Sequence, residues 1–257
     1  MSRRLSFFYD VLLEFDQPVS GHAFALRCVP PSFPGQDILD VALELTPQVS
    51  YARQHDGFGN LLQIGRVDEP HEQFRYTVRG SAMLDIARRQ AEAAHPVFRF
   101  PSAYTAMDGA MTEYLASLEL PERPAERAWA LVEAVQDKMT YLPGVTGVST
   151  TAAQAFAAGT GVCQDFAHVY LALARQAGLT ARYVNGLPEG GGTSHAWCEV
   201  WLDGLWTGVD PTQRRWTDEG YIRLGVGRDF GDCPIERGVF LGWAGQRQTV
   251  WARVCQQ

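Results

Sequence analysis

Cys163 is the residue whose position most directly indicates chemistry. It follows Gly161-Val162 and opens a predicted helix, with apolar residues after it at the i, i+3, i+4 spacing of a buried helix face. These apolar residues are Phe166, Ala167, Tyr170, Leu171, Ala174 and Ala177. Gly161 allows a tight turn before the helix. Because the free amides and positive dipole end of a helix N-terminus favour a thiolate, the sequence predicts an activated thiol.

A histidine and an aspartate follow on two predicted strands, residues 194–202 and 205–209, which an Asp-Gly pair joins as a hairpin. Antiparallel pairing brings His195 and Asp210 side by side, so that the carboxylate orients one imidazole nitrogen and the other faces the helix. A thiol, an imidazole and a carboxylate in this order are the parts of an activated nucleophile.

Other interpretations of these residues remain open at this point. A cysteine at a helix start is often only packed, and Asp210 precedes a proline, where it also suits a turn. Trp197 shares the strand face of His195, so it either lines a substrate groove or packs in the core. Metal binding by the three residues is the rival chemistry. Zinc usually takes a close ligand pair, which is missing here, and alternation turns Cys198 away; we therefore expect no metal and no cofactor.

Composition narrows the class of protein. The chain has 257 residues, 46% of them hydrophobic and 20% charged, as in ordinary globular proteins. A net charge of −7 argues against a nucleic-acid partner or an anionic membrane surface. The five cysteines are odd in number and lack close pairs, which is not a disulfide framework. With no signal segment or membrane span in the sequence, we expect a cytoplasmic protein.

The predicted elements change type along the chain. Residues 1–85 alternate as strands, with Asp56-Gly-Phe-Gly-Asn60 as a turn between two of them. Helical spacing begins after residue 85 and strands return after the cysteine helix. We therefore predict an α+β protein with an N-terminal antiparallel β domain, residues 1–85, and a second domain of helices packed on an antiparallel sheet, residues 86–257.

The motifs resemble a known family. Gly-Val-Cys163-Gln-Asp-Phe-Ala-His168, Ser-His195-Ala-Trp and Gly-Val-Asp210-Pro-Thr212 are similar to the core of the transglutaminase-like superfamily. Gly225-Val-Gly-Arg-Asp229 and Gly238-Val-Phe240 resemble its bacterial branch, whose members are often described as candidate cysteine proteases. The first 85 residues are similar to the β domain that precedes the core in that branch.

This resemblance implies a papain-like transglutaminase core in which Cys163 is the nucleophile, His195 the general base and acid, and Asp210 the orienting residue. An aromatic donor helps to stabilise the oxyanion in related enzymes, which makes Tyr141 the candidate here; a packed ring is its alternative role.

The implied chemistry is acyl transfer from a peptide or protein amide through a Cys163 thioester. We favour hydrolysis by a peptidase or amidase, because nothing in the sequence indicates protection of the thioester from water. A cross-linking transglutaminase and a catalytically silent binding module are the alternatives. The sequence does not indicate the oligomeric state.

Overall fold

The computed structural model describes residues 2–257 of the chain. In chain order its strands and α-helices are β1 (Arg3–Leu26), β2 (Gln36–Thr46), β3 (Tyr51–His55), β4 (Leu61–Val67), β5 (His71–Leu84), α1 (Gly109–Ser117), α2 (Pro124–Lys138), β6 (Thr140–Tyr141), α3 (Ala152–Ala158), β7 (Thr160–Gly161), α4 (Cys163–Gln176), β8 (Ala181–Pro188), β9 (Gly190–Gly192), β10 (His195–Leu202), β11 (Leu205–Asp210), β12 (Arg215–Trp216), β13 (Tyr221–Gly227), β14 (Glu236–Leu241) and β15 (Gln246–Gln256).

The first sheet is organised around the long strand β1. Its first half pairs with β5 and β15, and its second half pairs with β4 and β14, all antiparallel. The pairing with β5 shifts register between Glu14 and Val19, so one strand serves two parts of the sheet. Alternate side chains from Leu5 to Phe15 are buried, as the period-two pattern of this segment requires.

The second sheet has the order β12-β11-β10-β8-β13 and is antiparallel throughout. Helix α4 packs on β10 and β8, and α2 and α3 pack on α4. Every residue of α4 from Asp165 to Arg175 is buried. The helix that begins at Cys163 is therefore enclosed by protein on all sides, which fixes the direction in which its N-terminus points.

The chain returns to the first sheet at its C-terminal end. Strand β15 pairs with β1 from Gln246 to Gln256 and also pairs with β9, while β14 pairs with the second half of β1. The predicted domain boundary at residue 85 stays a prediction, and these pairs show that hydrogen bonding crosses it. None of the helices described in residues 2–257 has the length and apolar character needed to cross a membrane.

Candidate active site

Cys163 is the first residue of α4 and is half-buried. The helix terminus is held by Asp165, whose Oδ2 accepts hydrogen bonds from the Val162 backbone N–H at 2.8 Å and from the Thr146 hydroxyl at 2.7 Å. Burial raises the pKa of the Asp165 carboxyl, and the two hydrogen bonds oppose that rise. This short loop and first turn therefore place the thiol at a fixed helix N-terminus.

Gly161 serves this terminus in a way that differs from the sequence expectation. A Cβ on Gly161 would lie 2.6 Å from the Cβ of Asp165, which is closer than two carbon atoms that are not bonded to each other can approach. The left-handed glycine in this region is instead Gly159, which has φ +66° and ends α3. Glycine is required at position 161 because the Asp165 side chain passes directly against its backbone.

His195 opens β10 and Asp210 closes β11, as the hairpin pattern predicts. The turn between the strands places Asp203 and Gly204 at φ +50° and +88°, the left-handed values of a tight two-residue hairpin. His195 Nε2 lies 2.7 Å from Asp210 Oδ2. The imidazole is thus tied to the carboxylate through Nε2, and Nδ1 is the nitrogen left for the thiol.

Asp210 has no solvent exposure and accepts four hydrogen bonds. Oδ1 accepts from the backbone N–H groups of Thr212 at 2.9 Å and Gln213 at 3.1 Å. Oδ2 accepts from His195 and from the Tyr221 hydroxyl at 3.0 Å. These donors satisfy a buried charge that would otherwise be costly, and they fix its orientation toward the imidazole.

The electrostatics of His195 favour the imidazolium. Burial by itself lowers the pKa of His195, but hydrogen bonds to Asp210 and to the Cys163 thiol outweigh it and raise the pKa to about 10. The ring is therefore protonated at neutral pH, between a carboxylate on one side and the sulfur on the other. A cysteine beside a charged imidazole is the arrangement from which thiol enzymes form a thiolate–imidazolium ion pair.

Tyr141 lies close to the thiol. It belongs to β6, which pairs in parallel with β7, so Tyr141 is opposite Gly161. Its side chain is 52% exposed, and burial together with the nearby Cys163 raises the pKa of the phenol, which therefore remains a hydrogen-bond donor. The predicted role of Tyr141 as an oxyanion donor stays a prediction, and the structure places the residue close to Cys163.

Trp197 is a packed ring next to the histidine. It is only 2% exposed and stacks on His195 at 6.4 Å between ring centroids, with Tyr221 edge-on at 5.2 Å. Its far side borders a separate cavity of about 310 Å³ that Glu199 also lines. Its predicted part in substrate binding stays a prediction.

Cys198 lies on the opposite face of β10 from His195. Its sulfur is fully buried and donates to the Ala167 carbonyl in α4 at 3.5 Å, and burial raises the pKa of this thiol. Within residues 2–257, no three His, Cys, Asp or Glu side chains are placed so that they could share a metal ion.

Sequence reasoning missed Tyr221. Its hydroxyl donates to Asp210 and its ring packs on Trp197, while burial and the Asp210 charge raise the pKa of the phenol. The sequence indicated only a strand here. Strand β13, which carries Tyr221, is separated from β11 by β10 and β8, so no local spacing marks Tyr221 as a neighbour of Asp210.

A cysteine at the start of a buried helix, beside a histidine and an aspartate on an antiparallel sheet, is the arrangement of a papain-like protein. Two family models match the chain: the transglutaminase-like superfamily over residues 112–211 and the bacterial transglutaminase-like N-terminal region over residues 9–82. The chain belongs to the transglutaminase-like superfamily.

Curated relatives come from mycobacteria. An uncharacterised protein of Mycobacterium tuberculosis is 32% identical over 222 residues, which cover 72% of this chain and 70% of the relative. One of Mycobacterium leprae is 28% identical over 253 residues, covering 89% of this chain and 90% of the relative.

Among solved structures, that of a candidate cysteine protease from Cytophaga hutchinsonii superimposes with a TM-score of 0.80 at 21% identity. The superposition covers 100% of this chain and 91% of that one. The predicted fold class, an N-terminal antiparallel β domain followed by a papain-like transglutaminase core, is confirmed. Family and fold support an enzyme whose general chemistry is thiol-dependent acyl transfer.

Proposed function

We propose that this protein is a thiol-dependent amidase or peptidase that cleaves a peptide or protein amide through a thioester at Cys163. The observation that carries the proposal is the hydrogen bond of 2.7 Å between Asp210 Oδ2 and His195 Nε2, together with the Cys163 thiol close enough to His195 to help raise its pKa. In this series Cys163 is the nucleophile, His195 the general acid and base, and Asp210 the orienting residue.

The first half of the reaction begins from the ion pair. The Cys163 thiolate adds to the amide carbonyl carbon and the carbonyl oxygen becomes an oxyanion. His195, protonated at neutral pH, gives its proton to the amide nitrogen. The carbon–nitrogen bond breaks, the amine or ammonia leaves, and the acyl group remains on sulfur as a thioester.

In the second half of the reaction the same imidazole accepts a proton instead of donating one. Neutral His195 takes a proton from water as the oxygen adds to the thioester carbon. The tetrahedral intermediate expels the Cys163 thiolate, the acid leaves, and His195 keeps the proton, which restores the ion pair. Asp210 stabilises the imidazolium at both ends of the cycle.

Two donors are candidates for stabilising the oxyanion. The Cys163 backbone N–H lies in the first turn of α4, where no intrahelical acceptor exists. The Tyr141 hydroxyl is the second candidate, because its ring lies beside the thiol and its phenol stays protonated. One oxyanion donor is worth about 10²–10³ in rate, so Tyr141→Phe is expected to slow turnover by that order if the hydroxyl has this role.

Hydrolysis is the favoured outcome because Cys163 is only half-buried, which leaves a thioester at this sulfur accessible to water. A cross-linking enzyme needs an amine to reach the thioester before water does. The two outcomes differ in product, since water yields a carboxylic acid and an amine yields a new amide.

The test is a screen of peptide amides with the pure protein, with and without a primary amine, in which product masses are read by mass spectrometry. We expect acids as the main products from the wild type and no turnover by Cys163→Ala. Cys255→Ala removes the other half-buried thiol and is the matched control, with activity retained. Amides of the added amine as the main products would replace hydrolysis by transamidation, and turnover by Cys163→Ala would refute the mechanism.

A further inference from the structure

A cavity of about 500 Å³ lies between the first sheet and the loops of the second domain, and two of its lining residues are neighbours of the proposed site. Ser194, which lines it together with Tyr9 of β1, directly precedes His195. Val148 also lines it, and its carbonyl accepts a hydrogen bond from Gln164, the residue after Cys163. The cavity wall is therefore linked to both residues of the thiol–imidazole pair, through Ser194 to His195 and through Val148 and Gln164 to Cys163.

Aromatic rings from both parts of the protein form much of the wall. Those from the first sheet and its return strands are Tyr9, Tyr76 and Phe240, and those from the second domain are Tyr104 and Phe230. Aromatic faces carry negative electrostatic potential and attract cations.

Glu236 supplies the one carboxylate in this wall, and it is half-buried. Its Oε2 accepts hydrogen bonds from the Tyr76 hydroxyl at 3.2 Å and from Gln248 Nε2 at 3.1 Å. No Lys, Arg or His side chain in residues 2–257 forms an ion pair with it. A carboxylate that is partly removed from water and has no counter-ion is stabilised by a positive partner, which we expect here from outside the chain.

None of the other titratable groups of the cavity is an ion-pair partner of Glu236. His22 is neutral at physiological pH, because burial and His71 lower its pKa to about 4. Arg237 is exposed and donates to the Gly231 carbonyl at 2.9 Å. Tyr9 and Tyr76 are buried phenols whose pKa values burial raises, so they stay uncharged.

We propose that this cavity is a specificity pocket for a substrate group that carries one positive charge, an ammonium or guanidinium, with Glu236 as its counter-ion. The inference rests on the proposed function, since it names the substrate class of that same site. Arrival of the cation satisfies the unpaired carboxylate, and the surrounding rings add cation–π attraction.

The ionisation of Glu236 supports this pairing. Burial raises the pKa of its carboxyl to about 7, against the hydrogen bonds of Tyr76 and Gln248, which lower it. The free pocket is thus close to half-protonated at neutral pH. A bound cation favours the carboxylate, so binding is expected to release a proton and to strengthen as the pH rises from 6 to 8.

The probes are benzamidine, a planar monocation, and benzamide, its neutral counterpart of nearly the same shape. Binding is measured by calorimetry on Cys163→Ala, which cannot form a thioester. We expect benzamidine to bind at least about tenfold more tightly than benzamide, the order of one charge-assisted hydrogen bond. Glu236→Gln in the same background keeps an acceptor for Tyr76 and Gln248 and should abolish the preference.

Two further variants keep the test decisive. Glu72→Gln removes one negative charge from an exposed site and should leave the preference unchanged. Glu236→Asp keeps the charge on a shorter side chain and should retain part of the preference even if Glu236→Gln fails to fold. In the wild type, benzamidine should slow alkylation of Cys163 by iodoacetamide, which places the bound cation at the active site.

Equal binding of the two probes, an undiminished preference in Glu236→Gln, or binding that leaves Cys163 alkylation unaffected would overturn the inference. Because binding is measured without turnover, the failure of every amide to react would refute the proposed function and leave the cation site standing.

Discussion

Replacing Asp210 by asparagine tests the proposed site most directly, because the two carboxylate oxygens have different partners. Oδ1 accepts from the backbone N–H groups of Thr212 and Gln213, and Oδ2 accepts from His195. In Asp210→Asn the amide oxygen must remain with the two backbone N–H groups, because an NH₂ group at that position would also be a donor and could not bind them. The NH₂ group therefore faces His195.

This orientation has a defined effect on the imidazole. Nε2 of His195 must then accept a hydrogen bond, so the ring proton of the neutral form moves to Nδ1, the nitrogen available to the thiol. The carboxylate charge that favours the imidazolium is also lost. Both changes lower the pKa of His195, and the thiolate–imidazolium pair loses population at neutral pH.

The size of the effect follows from the pKa of His195. Its rise from 6.5 to about 10 corresponds to about 5 kcal/mol, and the side chain is only 11% exposed. Asp210 and Cys163 both contribute to this rise, with the Asp210 hydrogen bond as the largest favourable contribution. One hydrogen bond to a charged group is worth about 1.5–3 kcal/mol, so its loss predicts a rate loss of about 10- to 10²-fold. The sign of the pH effect is fixed, because a raised histidine pKa keeps the imidazolium present at low and neutral pH and loses it only as the pH rises through about 10.

The assay is the rate of Cys163 alkylation by iodoacetamide between pH 5 and 10, resolved from the other cysteines by mass spectrometry. We expect Asp210→Asn to react about 10- to 10²-fold more slowly than wild type at neutral pH, and we expect the two rates to converge at high pH, where any thiol ionises unaided. Asp203→Asn makes the same chemical change in the exposed turn of this hairpin and is the matched control. Superimposable profiles for wild type and Asp210→Asn would refute the ion-pair reasoning.

Two further variants probe the supports of the site. Tyr221→Phe keeps the ring and removes one hydrogen bond from the Asp210 carboxylate, so the free energy of unfolding in urea should fall by about 1–2 kcal/mol. The alkylation profile should change less than in Asp210→Asn. An unaltered stability would show that this bond contributes nothing. Gly161→Ala places a Cβ 2.6 Å from Asp165 and should lower the thermal midpoint, at a cost of about 1–3 kcal/mol, whereas Gly147→Ala, with nothing within 4 Å, should not. Equal midpoints for the two alanine variants would contradict the close approach.

The relative placement of histidine and aspartate was predictable because it depends on local chemistry. A two-residue Asp-Gly turn sets the pairing of β10 with β11, and strand alternation then decides which side chains share a face. The helix start at Cys163 was equally predictable, since a long apolar stripe begins there and ends before Gly178. These features involve neighbours in the sequence, where periodicity and turn residues carry the information.

The first sheet shows where such reasoning fails. The sequence pattern predicts two strands in residues 6–15 and 22–29, and the structure has one strand, Arg3–Leu26, with a register shift instead of a break. The glycines of residues 188–192 predict a loop, yet Gly190–Gly192 pairs with β15. A strand pattern shows which side is buried but does not identify the partner strand, and glycines have no side chains to show a pattern at all.

The return of the C-terminal strands has a consequence for the site. Strand β15 holds β9 by hydrogen bonds, and β9 ends three residues before His195. Glu189, just before β9, forms an ion pair at 2.8 Å with Arg3 of β1. The segment that leads into the histidine strand is therefore anchored to the first sheet at the glycines and at the residue just before them.

Two polar side chains from the N-terminal part of the chain also attach strand β13 of the second sheet to the first sheet. Gln36 exchanges hydrogen bonds with both backbone groups of Arg223 on β13, and Asn60 does the same with Val226. Each replaces the backbone partner that an additional strand would have provided for β13. Because β13 also carries the Tyr221 hydroxyl that binds Asp210, the first sheet supports both the histidine and its carboxylate. The N-terminal β domain is thus part of the structure that positions the proposed nucleophile's partners, and Glu236 of β14 adds to it the carboxylate of the proposed cation pocket.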